Sequence, residues 1–338
     1  IKDLLKNFGR TYFSPKSFNN HLGVPVSLCN LSLDDKFGVF EVGMSKAGEI
    51  RNLTKLIKPN IGVITNIGEA HIENFNNIHG IVNANSEIIE NIKTGGSIIL
   101  NRDDIFFKYL SKKAKFYKLN VISFGKHKKS DIKINKIINQ GNKSKAFISI
   151  GKKIIKLEFS DLNIHNVLAS IAVLKELNLD PFKIKDHFKY FGSLEGRGKK
   201  HTIIRYKKKF KLIDESYNAN PLSVKNAIKK LGLIKKEKFK KYLILGDMLE
   251  LGSKSKKYHQ DLSKVINKSD IDKVFIKGKK TIFTYKQLNK DKRGNILQSN
   301  EDIDLSLSEI ISNNDYLMIK GSNATGLHDF SKKMIKGI

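Results

Sequence analysis

Ile213-Asp214-Glu215-Ser216-Tyr217-Asn218-Ala219-Asn220-Pro221 closes an apolar run that begins at Phe210, and the order of these parts decides the fold. A short buried run, then a polar cluster, then a helical stretch from Ser223 to about Leu231 with Pro221 near its start, reads as strand, loop and helix. The pattern recurs where Tyr242 to Leu245 runs into Gly246-Asp247-Met248-Leu249-Glu250-Leu251-Gly252. Two such units in succession predict an open, parallel α/β sheet, which binds ligands outside the carboxyl ends of its strands. Asp214, Glu215 and Asp247 then stand as carboxylates along one sheet edge, with Asn218 and Asn220 supplying amide donors and acceptors beside them.

Working outward, further strands are expected near 274 and 317. On the N-terminal side Phe37 to Phe40, Ile61 to Ile64, Ser97 to Leu100 and Val121 to Phe124 are short, apolar and followed by polar residues or glycine. Helical stretches such as Ile81 to Ile92 lie between them, so a second, mostly parallel sheet is expected. From Asp131 to Ser160 the pattern changes to alternation around Gly141-Asn142 and Gly151-Lys152-Lys153, which predicts a small antiparallel meander. A helix from His165 to about Leu177 follows. Gly192-Ser193-Leu194-Glu195-Gly196-Arg197-Gly198 holds three glycines in seven residues and reads as the linker, dividing the chain into residues 1–194 and 195–338.

The chain has 338 residues, 40% of them hydrophobic, enough for two domains with separate cores. Its formal charge of +30 raises a nucleic-acid-binding reading. Arginine argues against it: only six of the 63 basic residues are arginine (10, 51, 102, 197, 205 and 293), and the lysines are scattered among isoleucine and asparagine. Base readout favours clustered arginine forks and aromatic platforms. Anionic substrates such as nucleotides are still attracted. The lone Cys29 forms no internal disulfide and fits a reducing cytoplasm. No apolar run is long enough to span a bilayer, so a soluble, cytoplasmic protein without membrane insertion is expected, as a monomer.

Beyond these two loops lie Ser17-Phe18-Asn19-Asn20-His21-Leu22-Gly23-Val24-Pro25, Glu41-Val42-Gly43, Thr65-Asn66-Ile67-Gly68-Glu69-Ala70-His71, His165-Asn166, Gly196-Arg197 and Lys320-Gly321-Ser322. Taken in this order, the blocks resemble the Mur ligase family of peptidoglycan synthesis. Within it they resemble the branch that joins D-alanyl-D-alanine to UDP-N-acetylmuramoyl-tripeptide. The D-N-P-R motif of the meso-diaminopimelate-adding branch is absent. The resemblance implies a central ATPase-type domain followed by a Rossmann-like C-terminal α/β domain, with ATP and Mg2+ as cofactors and an acyl phosphate as intermediate.

Residue by residue, the resemblance implies that Glu41 and His71 are catalytic and hold magnesium. Oxygen suits that ion better than nitrogen. It implies nucleotide contacts for Asn166, Arg197, Asp214, Tyr217, Asn218 and Asn220. The residues alone allow a plainer role, since Asn163 or Asn166 could cap a helix and Asp-rich turns are common. Asn19, Asn20 and Ser45 resemble positions facing the UDP-sugar peptide, and Asp247, Lys320 and Ser322 positions near the acceptor dipeptide.

Three departures set limits. No G-x-x-G-K-S/T phosphate loop occurs in the 338 residues, although the family carries one just ahead of a helix matching Ile1 to Phe8. The chain also starts on Ile1, and the family's UDP-binding N-terminal domain is not in it. Asn85 stands where the family has a lysine that becomes carbamylated, and a neutral amide replaces a negative oxygen. Ala169 replaces an asparagine common three residues after the His-Asn pair. Little ligase activity is therefore expected from this chain alone, and a catalytically inactive binding protein of the same fold is the alternative.

Overall fold

The computed structural model describes residues 1–140, 143–160, 162–235 and 238–338. It divides into two compact units, Ile1–Ile67 with Phe75–Gly192, and Gly68–Asn74 with Ser193–Ile338.

In the first unit, helix α1 (Lys2–Leu5) leads to β1 (Thr11–Phe13), α2 (Gly23–Cys29) and β2 (Phe37–Val39). β1 and β2 pair in parallel as a separate two-stranded sheet. This corrects the expectation that Phe37 to Phe40 would join the main sheet. The main sheet begins after α3 (Glu49–Ile57), with β3 (Ile61–Ile64), then α4 (Ile78–Ser86), β4 (Ser97–Asn101), α5 (Phe107–Phe116) and β5 (Asn120–Gly125). The expected helix Ile81 to Ile92 is α4 continued by a 3-10 turn, Glu87–Asn91.

β3, β4 and β5 are parallel, and β6 (Ile132–Gln140), β7 (Lys143–Ile150) and β8 (Lys153–Phe159) extend the same sheet. β7 is antiparallel to both of its neighbours, so the meander is part of the sheet rather than a module beside it. Its first turn, at Gly141-Asn142, lies outside the described residues. Helix α6 (Ile164–Glu176) returns onto the sheet. Ile99 on β4 joins Phe124, Ile148, Leu157, Leu168 and Ala172 in one core. Its neighbours Ile98 and Leu100 point the other way by strand alternation and are equally buried. Covering both faces explains why these strands read as continuous apolar runs.

The second unit starts with an antiparallel hairpin, β9 (Lys199–Arg205) and β10 (Lys208–Glu215), followed by α7 (Pro221–Gly232), β11 (Lys241–Gly246) and α8 (Ser255–Asn267). β12 (Lys273–Lys277), α9 (Ile282–Tyr285), β13 (Arg293–Leu297), α10 (Asn300–Ile310), β14 (Tyr316–Lys320) and α11 (Leu327–Lys336) complete it. The strand order is β13-β12-β11-β14-β10-β9, parallel throughout except for β9. Phe210, Leu212, Ile244, Phe275 and Ile319 meet Leu307, Leu327 and Phe330 on one side. β10, β14 and β11 are adjacent, which brings the three loops singled out in the sequence to one edge. Among the described residues no helix is long and apolar enough to cross a membrane.

Candidate functional site

The second unit gathers most of its candidate residues at strand ends, whereas those of the first lie at the end of β2, in loops and on α6. In the first, Glu41 lies just past β2, exposed, with Oε1 accepting a hydrogen bond from Asn19 Nδ2 at 2.9 Å. Asn19 is anchored in turn, since Gly43 N–H donates to its carbonyl at 2.8 Å. A side chain at Gly43 would meet Asn19, its Cβ lying 3.1 Å from the Asn19 amide group. Asn20 faces elsewhere: its Oδ1 accepts from Leu22 and Gly23 N–H and closes the turn into α2. Ser45 is exposed, and with Lys46 it donates backbone N–H to Glu49 Oε2 at 2.6 and 2.9 Å. Those bonds hold the Glu49 carboxyl below its ordinary range.

Asn85 sits on α4 and donates Nδ2 to the Ile81 carbonyl at 2.9 Å. Two residues on, buried Glu87 accepts from Gly48 and Arg51 N–H at the start of α3. A carboxylate there satisfies orphan amides and complements the helix dipole. Asn163, not Asn166, caps α6 by accepting from His165 N–H at 3.0 Å. That leaves Asn166 exposed on the first turn with a side chain not used in capping. Ala169 is buried in the core, so a polar residue there would face apolar neighbours.

Asp103 escaped the sequence reading. It accepts from Lys126 and His127 N–H at 2.7 and 2.9 Å and lies 3.1 Å from His165 Nε2. One carboxylate thus joins the ends of β4 and β5 to the start of α6. Burial raises its pKa, but the two amides and His165 outweigh that and hold it below the usual value. Gly125, at φ +147°, makes room, because a Cβ there would lie 2.7 Å from the Asp103 carboxyl carbon.

In the second unit Asp214 is fully buried at the end of β10. Its Oδ2 accepts from Gly196 N–H at 2.7 Å, and its Oδ1 from the Ser216 hydroxyl. Gly198 N–H donates to the Asp214 carbonyl at 2.7 Å, so the Gly-Arg-Gly segment is strapped across the strand end. Gly196, at φ +71°, cannot be larger: a Cβ would fall 2.6 Å from that of Tyr217. The strap sets the exposed Arg197 guanidinium over the Tyr217 ring, 4.6 Å from its centroid. His328 meets the same ring edge-on at 5.7 Å and lies 2.9 Å from the Ser216 hydroxyl.

Other candidates on this edge are structural in their contacts. Asn220 forms a capping box with Ser223 at the start of α7, where Pro221 is first. Buried Lys320 donates Nζ to the carbonyls of Glu215 and Asn218. Burial lowers its pKa, opposed by Glu215. Asp247 accepts from Thr281 and Lys280 N–H at 2.7 and 3.0 Å. Ser322 N–H donates to the Asp247 carbonyl, and Ser322 Oγ accepts from Leu249 N–H at 3.0 Å. These bonds join the ends of four strands, β10, β14, β11 and β12, into one platform. Of the candidate residues on this edge, Arg197 and Asn218 are exposed and Tyr217 is half-buried.

His71, at φ +57°, belongs to the same unit through Gly68–Asn74. Its Nδ1 lies 2.7 Å from Glu250 Oε2. The backbone locks the pair, since Glu73 N–H donates to the Glu250 carbonyl at 3.2 Å. Among the described residues no group of three or more His, Cys, Asp or Glu is placed to hold a metal ion. An ion here would need oxygens from elsewhere, and magnesium commonly takes only one or two carboxylates and completes its shell with water and substrate phosphate. Glu41, exposed and oriented by Asn19, fits that kind of site.

Comparison with known proteins gives two family matches, the Mur ligase middle domain over residues 1–174 and the glutamate ligase domain of Mur ligases over residues 201–323. A UDP-N-acetylmuramoyl-tripeptide--D-alanyl-D-alanine ligase of Buchnera aphidicola subsp. Acyrthosiphon pisum is 32% identical over 343 residues, spanning 98% of this chain and 72% of that protein. A MurF crystal structure from Acinetobacter baumannii superposes with a TM-score of 0.86 at 25% identity, covering 98% of this chain and 72% of the other. A Thermotoga maritima MurF ligase in complex with ADP gives 0.85 at 24% identity, covering 99% and 75%.

Proposed function

The chain belongs to the Mur ligase family, and from that membership we propose that it is the ATP-dependent ligase joining D-alanyl-D-alanine to UDP-N-acetylmuramoyl-tripeptide in peptidoglycan precursor synthesis. Residues 1–194 form its ATPase-type domain and residues 195–338 its C-terminal ligase domain, acting as a monomer in the cytoplasm. The observation that carries the reading is the strap at 196–198, which fixes an exposed arginine over Tyr217 beside Asn218 at the carboxyl edge of a parallel sheet.

The chemistry has two steps. The terminal carboxylate of the tripeptide takes the γ-phosphoryl group of ATP and releases ADP. The dipeptide amine then attacks the acyl carbon, and inorganic phosphate leaves with the carbon–oxygen bond electrons. Arg197 and Asn218 contact the nucleotide, with Tyr217 as a flat apolar surface and Asn166 as a further polar contact. Glu41 and His71 are proposed to hold Mg2+, which offsets charge on the transferring phosphoryl group when bound. Asp214 and Asn220 act by shaping the loop. Asn20 shapes the approach to the UDP-sugar peptide, which Ser45 faces, and Asp247, Lys320 and Ser322 shape the acceptor side.

The test is direct: purified protein, ATP, Mg2+, the UDP-tripeptide and D-alanyl-D-alanine are combined, and UDP-pentapeptide is sought by mass spectrometry. Product that is lost in Glu41→Gln supports the ligase. Asn85 favours a second reading, a protein that binds the UDP-peptide without turnover. Binding without product, with product gained in Asn85→Lys, supports that reading, and absence of both binding and product overturns both.

A further inference from the structure

Helix α5 turns an unusual face to solvent. Its inner side is accounted for, with Leu110 and Ala114 buried and Lys113 Nζ donating to Glu90 Oε1 at 2.8 Å and Ser86 Oγ at 2.9 Å. Tyr109 and Phe116 on the helix, with Ile105 just ahead of it and Tyr117 at its C-cap, are 47%, 81%, 86% and 37% exposed. Lys108, Lys112, Lys115 and Lys118 are exposed among them. From 105 to 118 there is no acidic residue. The nearest carboxylates are occupied: Asp103 by Lys126 and His127 N–H, Asp104 by Ile67 and Phe106 N–H, Glu90 by Arg51 and Lys113.

We propose that this face docks the protein on the anionic surface of a lipid bilayer. Covering two bulky apolar side chains that are otherwise in water is favourable. Ile105, two residues ahead of α5, and Phe116, its last residue, are eleven positions apart in sequence, with lysines between them. A fluid interface accepts each apolar side chain separately while the lysines extend to headgroup phosphates. A protein partner would need two matched pockets at that spacing. Nucleic acid offers the phosphates but nothing to cover Ile105. The phenol of Tyr117 suits the headgroup depth, where aromatic residues with one polar end collect, whereas the Tyr109 hydroxyl donates to Asn83 Oδ1 at 2.7 Å. Each lysine near an anionic surface strengthens binding about fivefold, so attachment is reversible and sensitive to salt. This inference does not depend on the ligase reading.

The chain contains no tryptophan, so Phe116→Trp creates a single fluorescent reporter at the proposed contact. Vesicles of phosphatidylcholine mixed with phosphatidylglycerol should shift its emission to the blue, and phosphatidylcholine alone should not. In co-sedimentation, Ile105→Ser with Phe116→Ser keeps the charge and should weaken binding at least about tenfold. Replacing the four exposed lysines by glutamine should weaken it at least about a hundredfold. Far-UV circular dichroism confirms that these surface variants stay folded. The proposal is overturned if the reporter stays in water on anionic vesicles, or if the double serine variant sediments like the wild type. It is also overturned if duplex DNA, but not vesicles, shifts the reporter.

Discussion

The Asn19 amide donates to Glu41 Oε1 at 2.9 Å. Sequence resemblance places Asn19 toward the UDP-sugar peptide, and this bond adds the proposal that it also orients the proposed magnesium ligand. Groups that orient a metal ligand commonly change metal affinity by 10- to 100-fold when removed. Asn19→Ala should therefore raise the Mg2+ concentration needed for half-maximal nucleotide binding by about that factor. UDP-tripeptide affinity, measured by calorimetry without Mg2+, should stay within about twofold. An equal loss in both would assign Asn19 to the peptide instead. His259 carries a second residue-scale expectation. Its Nε2 accepts from Met248 N–H at 3.1 Å, so Nδ1 holds the proton and donates to the Ser255 carbonyl at 2.8 Å. Burial lowers its pKa below 6.5. Above 6.5 the imidazole is neutral in folded and unfolded chains and its contribution is fully present. As pH falls below 6.5 the unfolded chain takes up the proton first, and stability is lost down through the folded pKa. Thermal unfolding followed from pH 7.5 to 5 should show this acid loss, and His259→Gln should flatten it. An identical slope in the variant would remove His259 as the source.

At the scale of elements, caps and straps explain why the loops hold their shape. Asn220→Ala removes one half of the capping box on α7 and should cost about 1 kcal/mol of stability by chemical denaturation. A cost below about 0.3 kcal/mol would mean the α7 start is held mainly by Pro221 and packing. The central strands of the C-terminal sheet were legible because β10, β11 and β14 are buried on both faces and their apolar runs end in turn chemistry. β1, β9 and β13 were not. β1 has three half-buried residues, β9 is an edge strand with three lysine or arginine residues in seven, and β13 begins Arg-Gly-Asn. Edge strands of this kind lack the apolar run on which strand recognition depends. The site divided in a similar way. Asp214, Asp247 and Lys320 were located correctly at strand ends, but their burial and backbone partners could not be read from one dimension. Asp103 was missed because Asn101-Arg102-Asp103-Asp104 looks like any polar strand end until β5 and α6 close around it.

For the whole molecule, the two units have separate cores, one centred on Phe124, Leu157 and Leu168 and the other on Phe210, Ile244 and Ile319. Phe124 and Phe210 are both fully buried, and neither carries a candidate site group. Truncating a buried phenylalanine to alanine removes its transfer free energy and leaves a cavity, at a cost of about 3–5 kcal/mol. That is a large share of the stability of a domain. The consequence should be confined to the core that loses the ring, because packing contacts are local even when unfolding is cooperative. Hydrogen exchange read by mass spectrometry separates the cases. Phe124→Ala should raise exchange in β4, β5 and α6 while β10, β11 and β14 keep their protection, and Phe210→Ala should do the reverse. Equal loss of protection in both units from either substitution would show that the two cores unfold as one cooperative body.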